Sequence, residues 1–191
     1  KAVAMAADLI GAAKNPIVLA GNGAIRKRAA NQLSRLAHNL RVGVVNTFMG
    51  KGALSMDDDH CLYTMGLGQG DYNNLAFDTA DLVISCGYDL VEYAPAKWNR
   101  THKEDKKIIH MDFWPAEVDR DYIPTVEIVG DLADALWQLN KLVEKRHKGK
   151  LPLFDIKTRG NLRAQLTEDF AAEKDDTGFR MNRQKILREV R

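Results

Sequence analysis

Pro16-Ile17-Val18-Leu19-Ala20-Gly21-Asn22-Gly23 is the stretch that decides the fold. An apolar run with no polar interruption reads as a strand buried on both faces, and Gly-Asn-Gly reads as the turn that ends it. Residues 28–39 follow as a helix, with Ala29, Leu33, Leu36 and Ala37 at helical spacing and Leu40 just beyond. A doubly buried strand that feeds a helix is the repeating unit of a parallel sheet. The unit recurs downstream. Val42-Gly43-Val44-Val45 is a second strand closed by Asn46-Thr47, and Leu82-Val83-Ile84-Ser85-Cys86 is a third ending at Gly87. Lys107-Ile108-Ile109-His110-Met111-Asp112 is a fourth, and Val126-Glu127-Ile128-Val129 a fifth ending at Gly130-Asp131.

Two more helices complete the pattern. Residues 1–14 place Val3, Ala6, Ala7, Leu9, Ile10 and Ala13 on an apolar stripe. Residues 131–145 do the same with Leu132, Ala135, Leu136, Leu139, Leu142 and Val143, and Asp131 is placed to cap that helix. The expectation is a doubly wound, Rossmann-like α/β domain over residues 1–147 with helices on both faces of the sheet and right-handed crossovers. Beyond it, Gly149-Lys150-Leu151-Pro152 breaks the pattern. Residues 148–181 read as a partly helical, charged linker, and residues 182–191 as the first helix of a further domain cut short, with an ordinary frayed C-terminal helix as the alternative.

Composition narrows the function. The 191 residues amount to roughly 1.3 domains of ordinary size. The formal charge of +2 splits unevenly: residues 1–149 carry 18 basic and 19 acidic residues, and the remainder carries 10 and 7. A near-neutral domain lacks the basic footprint of a nucleic-acid binder. Arg26-Lys27-Arg28 and Lys145-Arg146-His147-Lys148 are assigned to helix ends, as solvated faces or dipole complements. No apolar run reaches the roughly 18 residues of a membrane span, and residues 1–14 lack the order of a signal peptide. Cys61 and Cys86 are too few for a disulfide framework or a thiolate zinc site. The expected setting is the reducing cytoplasm.

Candidate binding residues gather where strands end, because ligands of open α/β sheets bind at the carboxyl edge. Gly21-Asn22-Gly23 has the context of a phosphate-cradling turn, yet Arg26 stands where the third glycine of G-x-G-x-x-G belongs. The second strand ends in Asn46 and Thr47 rather than an acid, so NAD-dependent hydride transfer is disfavoured. A plain tight turn and a nucleotide contact both remain open. Asn46-Thr47-Phe48-Met49-Gly50-Lys51-Gly52 and Gly66-Leu67-Gly68-Gln69-Gly70-Asp71 are glycine-rich loops able to approach a ligand or to turn a corner. Gly87, Asp112 and Asp131 end the later strands and complete the candidate set. His38, His60, His102, His110 and His147 show no ligand spacing, and His110 reads as a hydrogen-bonded strand histidine. Asp57-Asp58-Asp59 reads as a solvated loop rather than a metal cluster. No metal ligand set or catalytic set can be assembled from these residues.

In chain order, Asn15 to Gly23, Asn46 to Gly52, Ala80 to Ile84, Ile108 to Asp112 and Val126 to Asp131 resemble the central domain of thiamine-diphosphate-dependent enzymes. Cys86-Gly87-Tyr88-Asp89-Leu90-Val91-Glu92-Tyr93-Ala94-Pro95 with Trp98-Asn99 is most similar to acetolactate synthases of the catabolic type. The resemblance implies a six-stranded sheet between two flanking thiamine-diphosphate-binding domains of one polypeptide, in a homo-oligomer. It places the activating glutamate upstream and the magnesium and diphosphate motif downstream, so the chain alone would be inactive. In biosynthetic relatives this domain holds a structural FAD, through segments matching Gly21 to Gly23, Thr47 to Met49 and Gly66 to Gly70. A fourth, arginine-bearing segment is replaced here by Tyr88-Asp89-Leu90-Val91-Glu92, which matches the FAD-independent branch. The alternatives are a self-contained FAD or adenine-nucleotide module and a purely structural scaffold.

Overall fold

A computed structural model describes residues 1–66, 73–100 and 106–147, with Asn161, Arg163, Ala164, Gln165 and Glu168. Six parallel strands form one sheet: β1 (Pro16–Ala20), β2 (Gly43–Asn46), β3 (Cys61–Thr64), β4 (Leu82–Cys86), β5 (Lys107–Asp112) and β6 (Val126–Val129). Their order is β3-β2-β1-β4-β5-β6. The chain winds outward from β1 through β2 to β3, then returns to start again at β4. That reversal opens a crevice between the carboxyl ends of β1 and β4, the place where doubly wound sheets take ligands. The expected fold class stands, and the sixth strand is one that the residue pattern alone did not reveal.

The pleat divides the core in two. Val18, Ala20, Ile84, Cys86, Ile109 and Met111 face one layer, made by α1 (Ala2–Ala12), α2 (Lys27–Leu40) and α5 (Leu132–His147). Ile17, Leu19, Val45, Val83 and Ile108 face the other. There the cover is short: α3 (Asn74–Thr79), α4 (Pro95–Trp98) and the buried rings of Phe77, Tyr88, Trp98 and Tyr122. The rings meet edge to face or tilted, with centroids 5.2 to 6.2 Å apart. Trp98 Nε1 donates to Tyr88 Oη at 3.1 Å, and the Tyr88 hydroxyl donates to the Tyr93 carbonyl, so the polar tips are satisfied.

The amino ends of α1, α2, α3 and α4 carry no side-chain cap, whereas α5 does. Asp131 Oδ1 accepts from the Asp134 amide at 2.8 Å and caps α5, as its position suggests. Arg146 in the last turn of α5 donates to the Ala4 carbonyl and pairs with Asp8, tying α5 to α1. Arg26, Lys27 and Arg28 instead stand at the amino end of α2. Three cations at the positive end of a helix dipole do not complement it, so that part of the expectation fails. No helix among the described residues is long and apolar enough to cross a membrane.

Candidate functional site

β1 and β4 pair in register, Ala20 beside Cys86, so the glycines that follow them meet. A Cβ on Gly21 would lie 2.4 Å from the Gly87 carbonyl oxygen, and one on Gly23 2.7 Å from Gly87 Cα. Gly87 has φ +59°, and a Cβ there would lie 2.5 Å from Gly23 Cα. These glycines let backbone rest on backbone. The Gly21 amide donates to the Cys86 carbonyl at 2.9 Å and the Gly23 amide to the Gly87 carbonyl at 2.8 Å. Two donors of the presumptive phosphate turn are thus consumed by the sheet.

The third is consumed by a carboxylate. The turn after β4 is held by Asp89, whose Oδ1 accepts from the Val91 amide at 2.9 Å and whose carbonyl accepts from the Glu92 amide at 3.1 Å. It folds Glu92 back onto the crevice. Glu92 Oε1 accepts from the Asn22 amide at 2.9 Å, and Oε2 accepts from the Thr47 hydroxyl. Thr47 Oγ1 in turn accepts from the Gly50 amide at 2.9 Å, which fixes the hydroxyl's orientation. The sequence records the loss of an arginine in this segment, but not that Glu92 supplies an anion of its own.

Beside this carboxylate opens a cavity of about 680 Å³. Asn22, Gly23, Gly87, Asp112 and Asp131, candidates from the sequence, all line it. Arg26, Lys27 and Arg28 stand on the α2 side, and Asp89 and Glu92 on the loop after β4. The exposed rings of Phe113 and Trp114 complete the wall. Asp112 and Asp131 spend oxygens on local amides, those of Phe113 and Trp114 and of Asp134. The remaining candidates sit apart. Gly21 packs beneath the cavity, Thr47 is buried behind Glu92, and Phe48 and Met49 are half exposed on the loop after β2. Gly66 faces the Tyr93 ring, and Gly68 lies outside the described residues.

Nucleophiles and bases are not poised here. Burial, with the Asp112 charge second, pushes the Cys86 thiol up to about 12. His110 is buried with both ring nitrogens engaged: Nε2 donates to the Trp114 carbonyl at 3.0 Å, which leaves Nδ1 to accept from the Tyr122 hydroxyl at 2.8 Å. Burial likewise raises the Tyr88 and Tyr122 hydroxyls, which act as hydrogen-bonding core groups. The aspartate run and the histidines need correction. Asp57 and Asp59 are exposed, as a solvated loop requires, but Asp58 is mostly buried, and its carboxylate stands between His38 and His60, residues that sequence spacing does not associate.

At the β1 turn the chain spends its own donors. A diphosphate bound at the β1 turn needs the Asn22 amide and the Thr47 hydroxyl, and both already serve Glu92. Asp89 and Glu92 line the same cavity as Arg26, Lys27 and Arg28, and the segment Tyr88-Asp89-Leu90-Val91-Glu92 contains no arginine.

Comparison with known proteins agrees with the geometry. Residues 3–139 match the family model described as thiamine pyrophosphate enzyme, central domain. The catabolic acetolactate synthase of Raoultella terrigena is 37% identical over 150 residues, covering 76% of this chain and 26% of that protein. The acetolactate synthase of Bacillus subtilis (strain 168) is 33% identical over 136 residues, covering 71% and 24%. The acetolactate synthase large subunit of Pyropia yezoensis is 32% identical over 142 residues, covering 74% and 24%. The chain spans about a quarter of the length of these curated relatives, which carry further sequence beside the matched region. By its sheet order, its crevice and this match, the chain belongs to the family of thiamine pyrophosphate enzyme central domains.

Proposed function

We propose that the chain is the central domain of an acetolactate-synthase-like enzyme, which decarboxylates pyruvate and joins the two-carbon unit to a second pyruvate. The observation that carries this reading is the continuous match over residues 3–139 to a central-domain family, in relatives about four times the matched length. Thiamine diphosphate, held with magnesium by flanking domains, supplies the nucleophilic carbon for such chemistry. The role of this domain is architectural. Residues 1–147 space the flanking domains, residues 148–181 lead out, and residues 182–191 begin the next one. Phe48, Met49, Val91, Phe113 and Trp114 are exposed apolar side chains of loops that follow the strands' carboxyl ends. A rim of that composition suits contact with a neighbouring domain. Assembly as a homo-oligomer in the cytoplasm belongs to the same reading.

A chimera tests it. Residues 3–139 replace the corresponding segment of the Raoultella terrigena enzyme, and acetolactate formation from pyruvate is measured with thiamine diphosphate and magnesium. The chimera is expected to turn over without added FAD, and the 191-residue chain alone to give none. Turnover by the chain alone overturns the proposal.

A further inference from the structure

We propose that His38, Asp58 and His60 form a site for a divalent transition-metal ion of zinc type, joining the end of α2 to the loop that feeds β3. His38 stands in the last turn of α2, with Nδ1 2.8 Å from the Ser34 carbonyl. A carbonyl only accepts, so Nδ1 carries the hydrogen and Nε2 presents its lone pair. That nitrogen faces Asp58 Oδ2 at 3.5 Å. A proton or a metal ion can join two acceptors set face to face. A backbone carbonyl fixing the tautomer of a histidine is also the usual outer shell of a metal ligand.

The third donor comes from the same loop. His60 Nδ1 lies 3.1 Å from Asp58 Oδ1, and the His60 amide donates to that oxygen at 2.8 Å, which fixes the carboxylate. One ligand atom from each residue lies within 4.8 Å of the others. A tetrahedral zinc with bonds of roughly 2.0–2.1 Å sets its ligand atoms roughly 3.3–3.4 Å apart. His60 Nδ1 stands 3.1 Å from one Asp58 oxygen and His38 Nε2 3.5 Å from the other, so small side-chain adjustments bring one oxygen and both nitrogens to that spacing. The imidazole rings, 4.5 Å apart between centroids, would repel if both were protonated, whereas one ion serves both. Arg163 donates to the carbonyl oxygens of Asp58 and Cys61, so the cation already on this loop holds main-chain groups.

Donor chemistry selects the ion. Two imidazoles and one carboxylate suit zinc and its neighbours, whereas magnesium and calcium want oxygen ligands. Asp58 and His60 are 14% and 13% exposed at their side chains and His38 is 53% exposed, so a fourth position opens to water on the His38 side. The Val44 amide donates to the His60 carbonyl at 2.8 Å, so an ion here clamps the edge of the sheet.

Chelator-treated 191-residue chain, titrated with zinc chloride by calorimetry and thermal melting, is expected to bind one equivalent and to melt higher. Cobalt should give visible ligand-field bands from the same site, and magnesium neither effect. H38Q, at a half-exposed position that leaves the core intact, and D58N should each weaken zinc binding by at least about tenfold. Absence of saturable zinc binding overturns the proposal, as does equal affinity in H38Q or an equal response to magnesium.

Discussion

Glu92 decides what the crevice accepts. Its two oxygens satisfy the Asn22 amide and the Thr47 hydroxyl, and shortening it to alanine removes the acceptor of both. The Asn22 amide is exposed and takes up water, whereas the Thr47 hydroxyl is part-buried, so E92A is expected to lose about 1 kcal/mol in urea unfolding. E92Q, which keeps one acceptor, should lose less. The vacated donors should then respond to anions: inorganic pyrophosphate is expected to raise the melting temperature of E92A and leave the parent chain unmoved. An equal shift in both would place pyrophosphate elsewhere. Cys86 sets a pH limit of the opposite kind. Its thiol ionises at about 12 in the folded chain against 9.0 in the open one. A raised value means that the folded state keeps a proton the unfolded state gives up. The contribution is therefore whole below about pH 9 and is lost as pH climbs toward about 12, by up to roughly 1.4 kcal/mol per pH unit. Denaturation midpoints should fall above about pH 9, and C86A should flatten that fall. The residues lining the crevice were legible because strand ends place them. Glu92 was not, since its role depends on a turn that brings it back to Asn22, which is 70 residues away.

Elements with an unbroken apolar pattern declare themselves in sequence, including the four-residue β2 and β6, and irregular ones do not. β1, β4, β5, α2 and α5 keep one periodicity through their whole length, so their apolar stripes could be read directly. β3 has four residues and breaks its own alternation: Val44 pairs with Cys61 but Asn46 with Thr64, and Tyr63 sits at φ +63° in the resulting bulge. α3 and α4 have six and four residues, too few to establish a helical period, and what they add to the core is aromatic. Trp98 fills that layer against Phe77, Tyr88 and Tyr122. Truncation there leaves a large void and removes a donor from Tyr88, so W98A is expected to cost about 3–5 kcal/mol by chemical denaturation. D131A, which removes only the α5 cap, should cost about 1 kcal/mol by the same measurement.

The described residues cover the sheet unequally: three long helices lie on one face, and two short ones with an aromatic layer on the other. Among the described residues, every member of both core clusters falls between Ala2 and Val143. Arg163 nevertheless reaches back. Its guanidinium donates to the Cys61 carbonyl at 2.9 Å and the Met56 carbonyl at 3.3 Å, and stands over the Tyr63 ring at 5.4 Å. Charge-assisted bonds of this kind hold an edge strand that has a neighbour on one side only. The two observations predict separable effects. A chain ending at His147 should keep one cooperative unfolding transition, because it retains every core residue among those described. Its amides from Cys61 to Thr64 should exchange with deuterium faster than in the 191-residue chain, while those of β1 and β4 stay protected. R163A in the full chain should reproduce the local change without the truncation. Uniform loss of protection across the sheet would show that the segment beyond residue 147 completes the fold itself, rather than bracing one edge of it.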